Sequence, residues 1–491
     1  MHRTFIRALV TSALFSILLS VIVAPTRSTA VETMGYVEVE GTHFVLNGLP
    51  YYYTGSNTYY LMVYAAEAGL RSYVCEVLSE ASEMGLKVVR TWAFNDGDDQ
   101  WNALQTSPRV YNERVFRGLD YVVHAADSLG LRLILPFVNN WDDYGGMNRY
   151  VAWSPTASSH DDFYTDDSCR VWYKNHIHTI LNRVNVYSGR VYRYDPAIFA
   201  WELGNEPRCT SDNSGDKLQG WIEEMSAYIK SVDPYHLVTV GLEGFYDDAG
   251  SSWWLNGSQG CDFIRNHQTS TVDFCTAHNW PDNWNWTYST SMNFIEMQCD
   301  DAESIIGKPI ILEEFGKYRD NGGGTTTRDN FFSGYYSTLA GHGGDGSNFW
   351  ILYHDDYTDY DGYGVYYPDD SSTIAIIEAE VTRTDGLSPT SVPPPSFPEG
   401  QLNIIFNVPN PFNPLTTIHY YIPRDGRVVL EVCNVSGRRV VCLVNEVQGK
   451  GYHRVDWDGK DSHGATVESG VYFYRLSAGS ETLSRKMILL R

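Results

Sequence analysis

Trp201-Glu202-Leu203-Gly204-Asn205-Glu206-Pro207 is an apolar run that stops on a carboxylate, and Ile310-Ile311-Leu312-Glu313-Glu314-Phe315-Gly316 does the same about a hundred residues later. A short apolar run bounded by Asn, Pro or Gly reads as a buried strand ending at a loop. Pro207 suits a strand end because it has no N–H to give to a ladder. Two buried strands that each deliver a carboxylate at the C-terminal end suggest a paired-carboxylate site at the mouth of a parallel barrel. Glu206 is one candidate. Glu313 and Glu314 should point to opposite faces of one strand, and the residues alone leave the choice between them open. Spacing alone is also compatible with carboxylates that serve only in structural ion pairs.

Other runs of strand length fall at Tyr51–Gly55, Lys87–Trp92, Arg132–Val138, Leu237–Gly241, Phe274–His278 and Ser347–Leu352. Ile198–Leu203 and Pro309–Glu314 bring them to eight. Amphipathic stretches such as Ser72–Met84, Val115–Ser128 and Leu218–Ser231 lie between them. This alternation predicts an α/β fold, a (β/α)8 TIM barrel spanning 31–384. Chemistry in that fold collects just past the strands. Arg90, ending the second strand, is a candidate cation to keep a nucleophilic carboxylate ionised. Asn205 could hydrogen-bond a sugar hydroxyl beside Glu206.

A Pro- and Ser-rich stretch, 385–400, reads as an extended linker. The tail, 401–491, offers short alternating runs at Thr417–Ile422, Val428–Val432, Arg439–Val444, Gly451–Trp457 and Val471–Leu476, separated by turn residues. That predicts a small all-β, immunoglobulin-like sandwich. At the other end, Arg3 and Arg7, the apolar stretch Ala8–Ala24 and Ser28-Thr29-Ala30 read as a secretory signal over 1–30, with an uncleaved anchor as the alternative. No later segment is long and apolar enough to span a membrane. Export would permit disulfides among the eight Cys, with Cys433 and Cys442 flanking a turn. None forms a CxxC pair, and no metal site or cofactor is expected.

The formal charge is −24, and the tail carries eleven Lys and Arg against eight Asp and Glu, so the acidity sits in the barrel. That argues against nucleic acid and anionic membranes as partners and is compatible with a neutral polymer. The 14 Trp and 35 Tyr fit a surface that stacks on sugars. Asp355–Gly362 is acidic but lacks the closing Glu of a calcium loop, and reads as a solvated loop near the site.

Several runs carry a resemblance: Phe44-Val45-Leu46-Asn47-Gly48, Val89-Arg90-Thr91-Trp92-Ala93-Phe94, Asn139-Asn140-Trp141-Asp142-Asp143-Tyr144-Gly145-Gly146, Trp201–Pro207, Gly241-Leu242-Glu243-Gly244-Phe245-Tyr246, Glu314-Phe315-Gly316-Lys317 and Phe349-Trp350. Together they resemble glycoside hydrolase family 5, in particular its endo-β-1,4-mannanases. The resemblance implies that Glu206 is the acid/base and Glu314 the nucleophile. It implies that Arg90 holds the nucleophile ionised and Asn205 binds the sugar 2-hydroxyl. Trp92 and Trp350 would shape the subsites beside the cleaved bond, and His278 would lie near the carboxylates. The family often has Tyr two residues after that His, whereas this chain has Trp280, which leaves it a contact or stacking role. In the tail, Asn410-Pro411-Phe412-Asn413-Pro414, Ser436-Gly437-Arg438, Trp457-Asp458-Gly459 and Ser469-Gly470-Val471-Tyr472 resemble the C-terminal sorting domain of bacterial type IX secretion. A carbohydrate-binding module using Trp457 competes with that reading. The expectation is a monomeric, secreted or surface-attached retaining enzyme acting on β-mannan, with possible contact to a secretion machinery. A β-1,4-glucanase on the same barrel and a non-catalytic glycan-binding protein are the alternatives.

Overall fold

The computed structural model describes residues 35–248, 250–320, 323–388 and, in the C-terminal part, 403–408, 412, 414, 416–479 and 481–490. The signal at 1–30 and most of the linker lie outside the described residues. Every one of the eight expected strands forms. They are β1 (Tyr53–Asn57), β2 (Val88–Arg90), β3 (Arg132–Pro136), β4 (Ile198–Glu202), β5 (Leu237–Thr239), β6 (Cys275–Asn279), β7 (Ile310–Phe315) and β8 (Gly346–Phe349). They lie parallel in one sheet in the order β5-β4-β3-β2-β1-β8-β7-β6. The two end strands are stitched together largely through side chains. Val238 N donates to Asp273 Oδ2 at 2.6 Å, Thr239 Oγ1 to Phe274 O at 3.0 Å and Leu242 N to Thr276 Oγ1 at 2.9 Å.

A helix follows each strand: α1 (Arg71–Glu83), α2 (Glu113–Leu129), α3 (Asp167–Leu181), α4 (Asp216–Val232), α5 (Phe263–His267), α6 (Tyr288–Asp301), α7 (Thr326–Gly341) and α8 (Ser371–Leu387). The three helices read from amphipathic pattern are α1, α2 and α4. Local chemistry sets their ends. The Asn112 side chain accepts the Arg114 N–H at the start of α2, and Gly130 closes it in the left-handed conformation. α8 runs three residues into the stretch assigned to the linker. Asp385 pairs with Lys87 at 2.6 Å and Ser388 Oγ accepts from Tyr52 N at 2.8 Å, so the barrel itself holds the last turn.

The two faces of β4 show how the barrel divides its labour. Trp201 faces the helical layer, stacks on Phe137 and donates its indole N–H to Asp233 at 2.7 Å. Glu202 faces the lumen and meets Arg90. The N-terminal hairpin Val37–Glu40/His43–Leu46 plugs the opposite mouth. Phe44 meets Phe199 and Phe274 edge-on, in a cluster with Tyr53, Ile134 and Ile311. The floor is therefore apolar and the charged groups lie above it.

The tail forms two sheets. β9 (Asn403–Val408), β10 (Thr416–Ile422) and β13 (Gly451–Trp457) make one; β11 (Gly426–Asn434), β12 (Arg439–Gln448), β14 (Gly470–Ala478) and β15 (Glu481–Leu489) make the other. Pattern reading missed β9 and β15. Trp457 is 1% exposed, packs on Phe412 and Tyr472, and gives its N–H to Lys460 O at 2.9 Å. It is a core residue and offers no ring to a sugar. The expected cysteine pairing does not hold for Cys169, Cys209, Cys261, Cys275, Cys299, Cys433 and Cys442, which are thiols. Cys433 lies opposite Arg439 and Cys442 opposite Glu431, so the ladder register separates the pair that the turn seemed to join.

A side chain at Gly346 would lie 2.3 Å from the Tyr53 ring in the packed floor. Gly346→Val should lower stability by about 1–3 kcal/mol, read as a lower denaturant midpoint at constant slope; an unchanged midpoint would show that the floor can absorb the volume.

Candidate active site

Glu206 follows β4 on irregular backbone. Its φ is +53°, a conformation that a side chain other than Gly rarely adopts. The strain is held by main-chain bonds to both neighbours: Asn205 N to Val138 O at 2.8 Å and Glu206 N to Gly241 O at 2.8 Å. Glu314 comes from β7, which carries a bulge. Ala277 pairs with Leu312 and the next residue, His278, pairs with Glu314, so β7 has one residue more than β6. The extra residue is Glu313. The expectation that Glu313 and Glu314 face opposite ways is therefore overturned. Glu313 reaches His278 Nε2 at 3.3 Å and Glu314 reaches His278 Nδ1 at 3.5 Å.

One carboxylate oxygen each of Glu206 and Glu314, together with a ring nitrogen of His278, lie within 4.8 Å of one another. Arg90 stands behind them and uses all five N–H groups. Nε and Nη2 grip the two Glu202 oxygens at 2.7 and 2.6 Å, and Nη2 also donates to Asn205 Oδ1 at 2.8 Å. Nη1 donates to Asn57 Oδ1 at 3.1 Å and to Glu314 Oε1. Asn205 Nδ2 in turn donates to Asn139 Oδ1 at 3.0 Å, which fixes its amide. Glu206 accepts the Trp141 indole N–H at 2.6 Å on one oxygen and bonds His278 Nδ1 at 2.8 Å on the other.

Burial disfavours charge on Arg90, and Glu202, Glu313 and Glu314 outweigh it, so the guanidinium stays charged. Burial likewise disfavours the His278 imidazolium; the charges of Glu314 and Glu206 and the bonds to Glu206 and Glu313 outweigh it and hold the ring protonated well above its usual range. Glu206 feels burial too, but the bond and charge of His278, then Arg208 and Trp141, bring it down to about 2. Burial raises Glu314, and His278 and Arg90 only partly offset it. Burial raises Glu202, and the charge and hydrogen bonds of Arg90 pull it back down. Glu206, His278 and Glu314 have the composition of a metal cluster, but here the positive charge among them belongs to Arg90 and His278.

Sequence reasoning brought Glu206, Glu314, Arg90, Asn205 and His278 to one place, and all five meet. The three tryptophans take different parts. Trp350 is half-buried, stacks on Tyr59 at 5.4 Å and 12°, and donates to Asp361 at 3.0 Å. Trp92 is 5% exposed beneath Tyr59 and Tyr144, so it buttresses the wall. Trp280 meets Trp350 edge-on at 5.7 Å and Tyr363 at 4.9 Å; it braces the Trp350 platform and takes no hydrogen bond to Glu314 among the described residues. The acidic loop serves its own backbone, with Asp359 accepting from Gly362 N and Asp361 from Tyr363 N.

Several residues of the site were not singled out from sequence. Trp141 is 42% exposed beside Glu206. Arg208 lies over the Trp141 and Phe245 rings at 5.2 and 4.9 Å and grips Glu243 at 2.6 and 2.5 Å. Glu202 and Asn57 complete the Arg90 shell. Trp141, Arg208 and Glu243 lie in or directly beside the quoted motif runs, which was the available signal.

The folded protein raises His278 and lowers Glu206. The first contribution is complete below the ordinary histidine value of 6.5 and is lost as pH climbs through the raised value; the second is complete above the ordinary carboxylate value of 4.5 and is lost as pH falls towards about 2. The melting temperature gap between the wild type and His278→Asn should therefore be widest between pH 4.5 and 6.5 and narrow on either side. A gap independent of pH would rule out the ion pair.

Known proteins resemble this chain in sequence and fold. The chain is 44% identical over 366 residues to mannan endo-1,4-beta-mannosidase 5 of Solanum lycopersicum, covering 70% of this chain and 88% of the relative. It is 42% identical over 371 residues to mannan endo-1,4-beta-mannosidase 7 of Arabidopsis thaliana, covering 72% and 86%. Among solved structures, the endo-1,4-beta-D-mannanase of Thermotoga petrophila is 36% identical with a TM-score of 0.63, covering 68% of this chain and 100% of that one. The endo-1,4-beta-mannanase of Rhizomucor miehei is 33% identical with a TM-score of 0.66, covering 72% and 100%. Residues 34–354 match the model of the glycoside hydrolase family 5 beta-mannosidase-like group, and the chain belongs to that family.

Proposed function

We infer that the chain is an endo-acting β-1,4-mannanase that cleaves internal bonds of mannan, galactomannan or glucomannan with retention. The observation that carries the stereochemistry is that an oxygen of Glu206 and one of Glu314 lie within 4.8 Å of each other. Retaining enzymes hold their carboxyls about 5–5.5 Å apart, whereas inverting ones leave room for a water at roughly 6.5–9.5 Å. Glu314 attacks the anomeric carbon and forms the glycosyl-enzyme, while Glu206 protonates the departing oxygen. Glu206 then takes a proton from water, whose oxygen attacks the same carbon and releases Glu314.

The resting proton sits on the His278 side of its 2.8 Å bond with Glu206. Among the groups that keep it there, the Glu314 charge is the largest. Bond formation consumes that charge. The proton then passes along the bond to Glu206 as the leaving oxygen requires it, so nucleophile and acid are coupled through one ring. Arg90 and the Asn205 amide it orients support a role for Asn205 at the sugar 2-hydroxyl. Trp350 on Tyr59 supports a flat platform for the sugar being attacked.

Reducing-sugar release from mannan, galactomannan, glucomannan and cellulose tests the substrate, and proton NMR of the first products tests the stereochemistry. Mannan cleavage with the β-anomer appearing first is expected; cellulose as the better substrate, or the α-anomer first, would sink the reading. Glu206→Gln should lower kcat by about 10²–10⁴-fold, and Glu314→Ala should lose turnover at least as completely.

We further propose that 1–30 directs export and that 401–491 is a type IX sorting domain. The sandwich architecture and the Ser469-Gly470-Val471-Tyr472 and Trp457-Asp458-Gly459 motifs support this, and the burial of Trp457 weakens the carbohydrate-module alternative. In a host with that secretion system, removal of 401–491 should trap active enzyme inside the cells; unchanged export, or mannan binding by the isolated sandwich, would overturn it.

A further inference from the structure

Beyond Arg208, the contacts continue away from the carboxylates. Phe245, 1% exposed under the Arg208 guanidinium, meets Trp253 at 5.0 Å and Trp284 at 5.3 Å. Trp253 is 36% exposed and stands 6.1 Å from Trp284 and 6.3 Å from Trp286. Trp284 and Trp286 pack at 4.6 Å, and Trp254 closes on Trp286 at 5.2 Å. Four indoles thus share one patch on the loops that follow β5 and β6. Trp253 thus presents part of a flat, amphipathic ring to solvent at the edge of a cluster of indoles, the kind of contiguous aromatic surface that serves as a binding patch.

Its position in the barrel says what would bind there. Trp350 and Tyr59 follow β8 and β1, on one side of the carboxylates. Trp141, Arg208 and Trp253 follow β3, β4 and β5, on the side of the proton donor. From Glu206 the contacts run through the 2.6 Å bond to Trp141, then Arg208 at 5.2 Å, the buried Phe245 at 4.9 Å and Trp253 at 5.0 Å.

We propose that Trp253, braced by Trp284, is a stacking platform for a sugar unit of the departing chain, beyond the unit next to Glu206. The proposal rests on the mannanase reading and names the part of the polymer that the far wall grips. A neutral pyranose presents an apolar face to the indole, and the Arg208 guanidinium beside it offers donors to hydroxyls.

The test compares mannotetraose with mannohexaose. In Trp253→Ala the ratio of kcat/KM on the longer to that on the shorter substrate should fall roughly 2- to 10-fold, and Trp253→Phe should restore most of it. In addition, mannohexaose titrated into the Glu314→Ala protein should quench tryptophan emission less when Trp253 is also Ala. An unchanged ratio, or an equal fall on both substrates, overturns the platform. Cleavage of mannan by the wild type decides the underlying reading separately, so the two can fail independently.

Discussion

Five N–H groups of Arg90, all committed, are the constraint on which the active centre depends. A guanidinium sealed inside a barrel is tolerable only if each donor has a partner and its charge is answered. Glu202 answers it from β4, Glu314 from β7, and Asn57 and Asn205 take the remaining donors from β1 and the β4 loop. Four segments are thereby registered against one planar group. The apolar floor of Phe44, Tyr53 and Phe199 supplies stability that the charged layer does not. The chemistry sits where the barrel is electrostatically most expensive, and the hydrophobic end carries it.

His278 plays the opposite part. Arg90 holds its charge permanently, whereas the imidazole holds a proton only as long as the carboxylates around it remain ionised. The centre therefore combines one fixed cation and one conditional cation. The fixed one sets geometry; the conditional one lets the charge of Glu314 influence Glu206 although the two carboxylates are not directly bonded.

Much of this was legible in the chain because buried parallel strands are continuous apolar runs, and a Glu that ends such a run stands out. All eight strands, Glu206, and Arg90 and Asn205 as its companions could be found that way, whereas the choice of Glu314 over Glu313 and the place of His278 came from the resemblance to the family. Features of backbone geometry could not. Nothing in Leu312-Glu313-Glu314 announces a bulge, so strict alternation sent Glu313 to the wrong face. The left-handed conformation of Glu206 is equally silent, since it is imposed by Gly241 O and by the β3 loop. Tryptophans were visible as residues but not as roles: Trp92 and Trp280 brace walls, while Trp141, passed over as a site residue, touches the acid. In the tail, β15 escaped notice because Ser484-Arg485-Lys486 breaks the apolar alternation at an edge, where charge is common.

The bulge in β7 has a consequence for how such a site can arise or be lost. Insertion of a single residue into one strand placed two neighbouring acids on the same side, which a regular strand forbids. Without it the lumen would hold one acid from β7, and His278 would lose either the partner of Nε2 or the nucleophile near Nδ1. The number of negative charges in the pocket, and hence whether its histidine carries a proton, is set by a count of backbone atoms. A deletion that keeps every side chain type in the pocket would abolish the proton's place there, which makes strand length in this chain a determinant of ionisation as much as of shape.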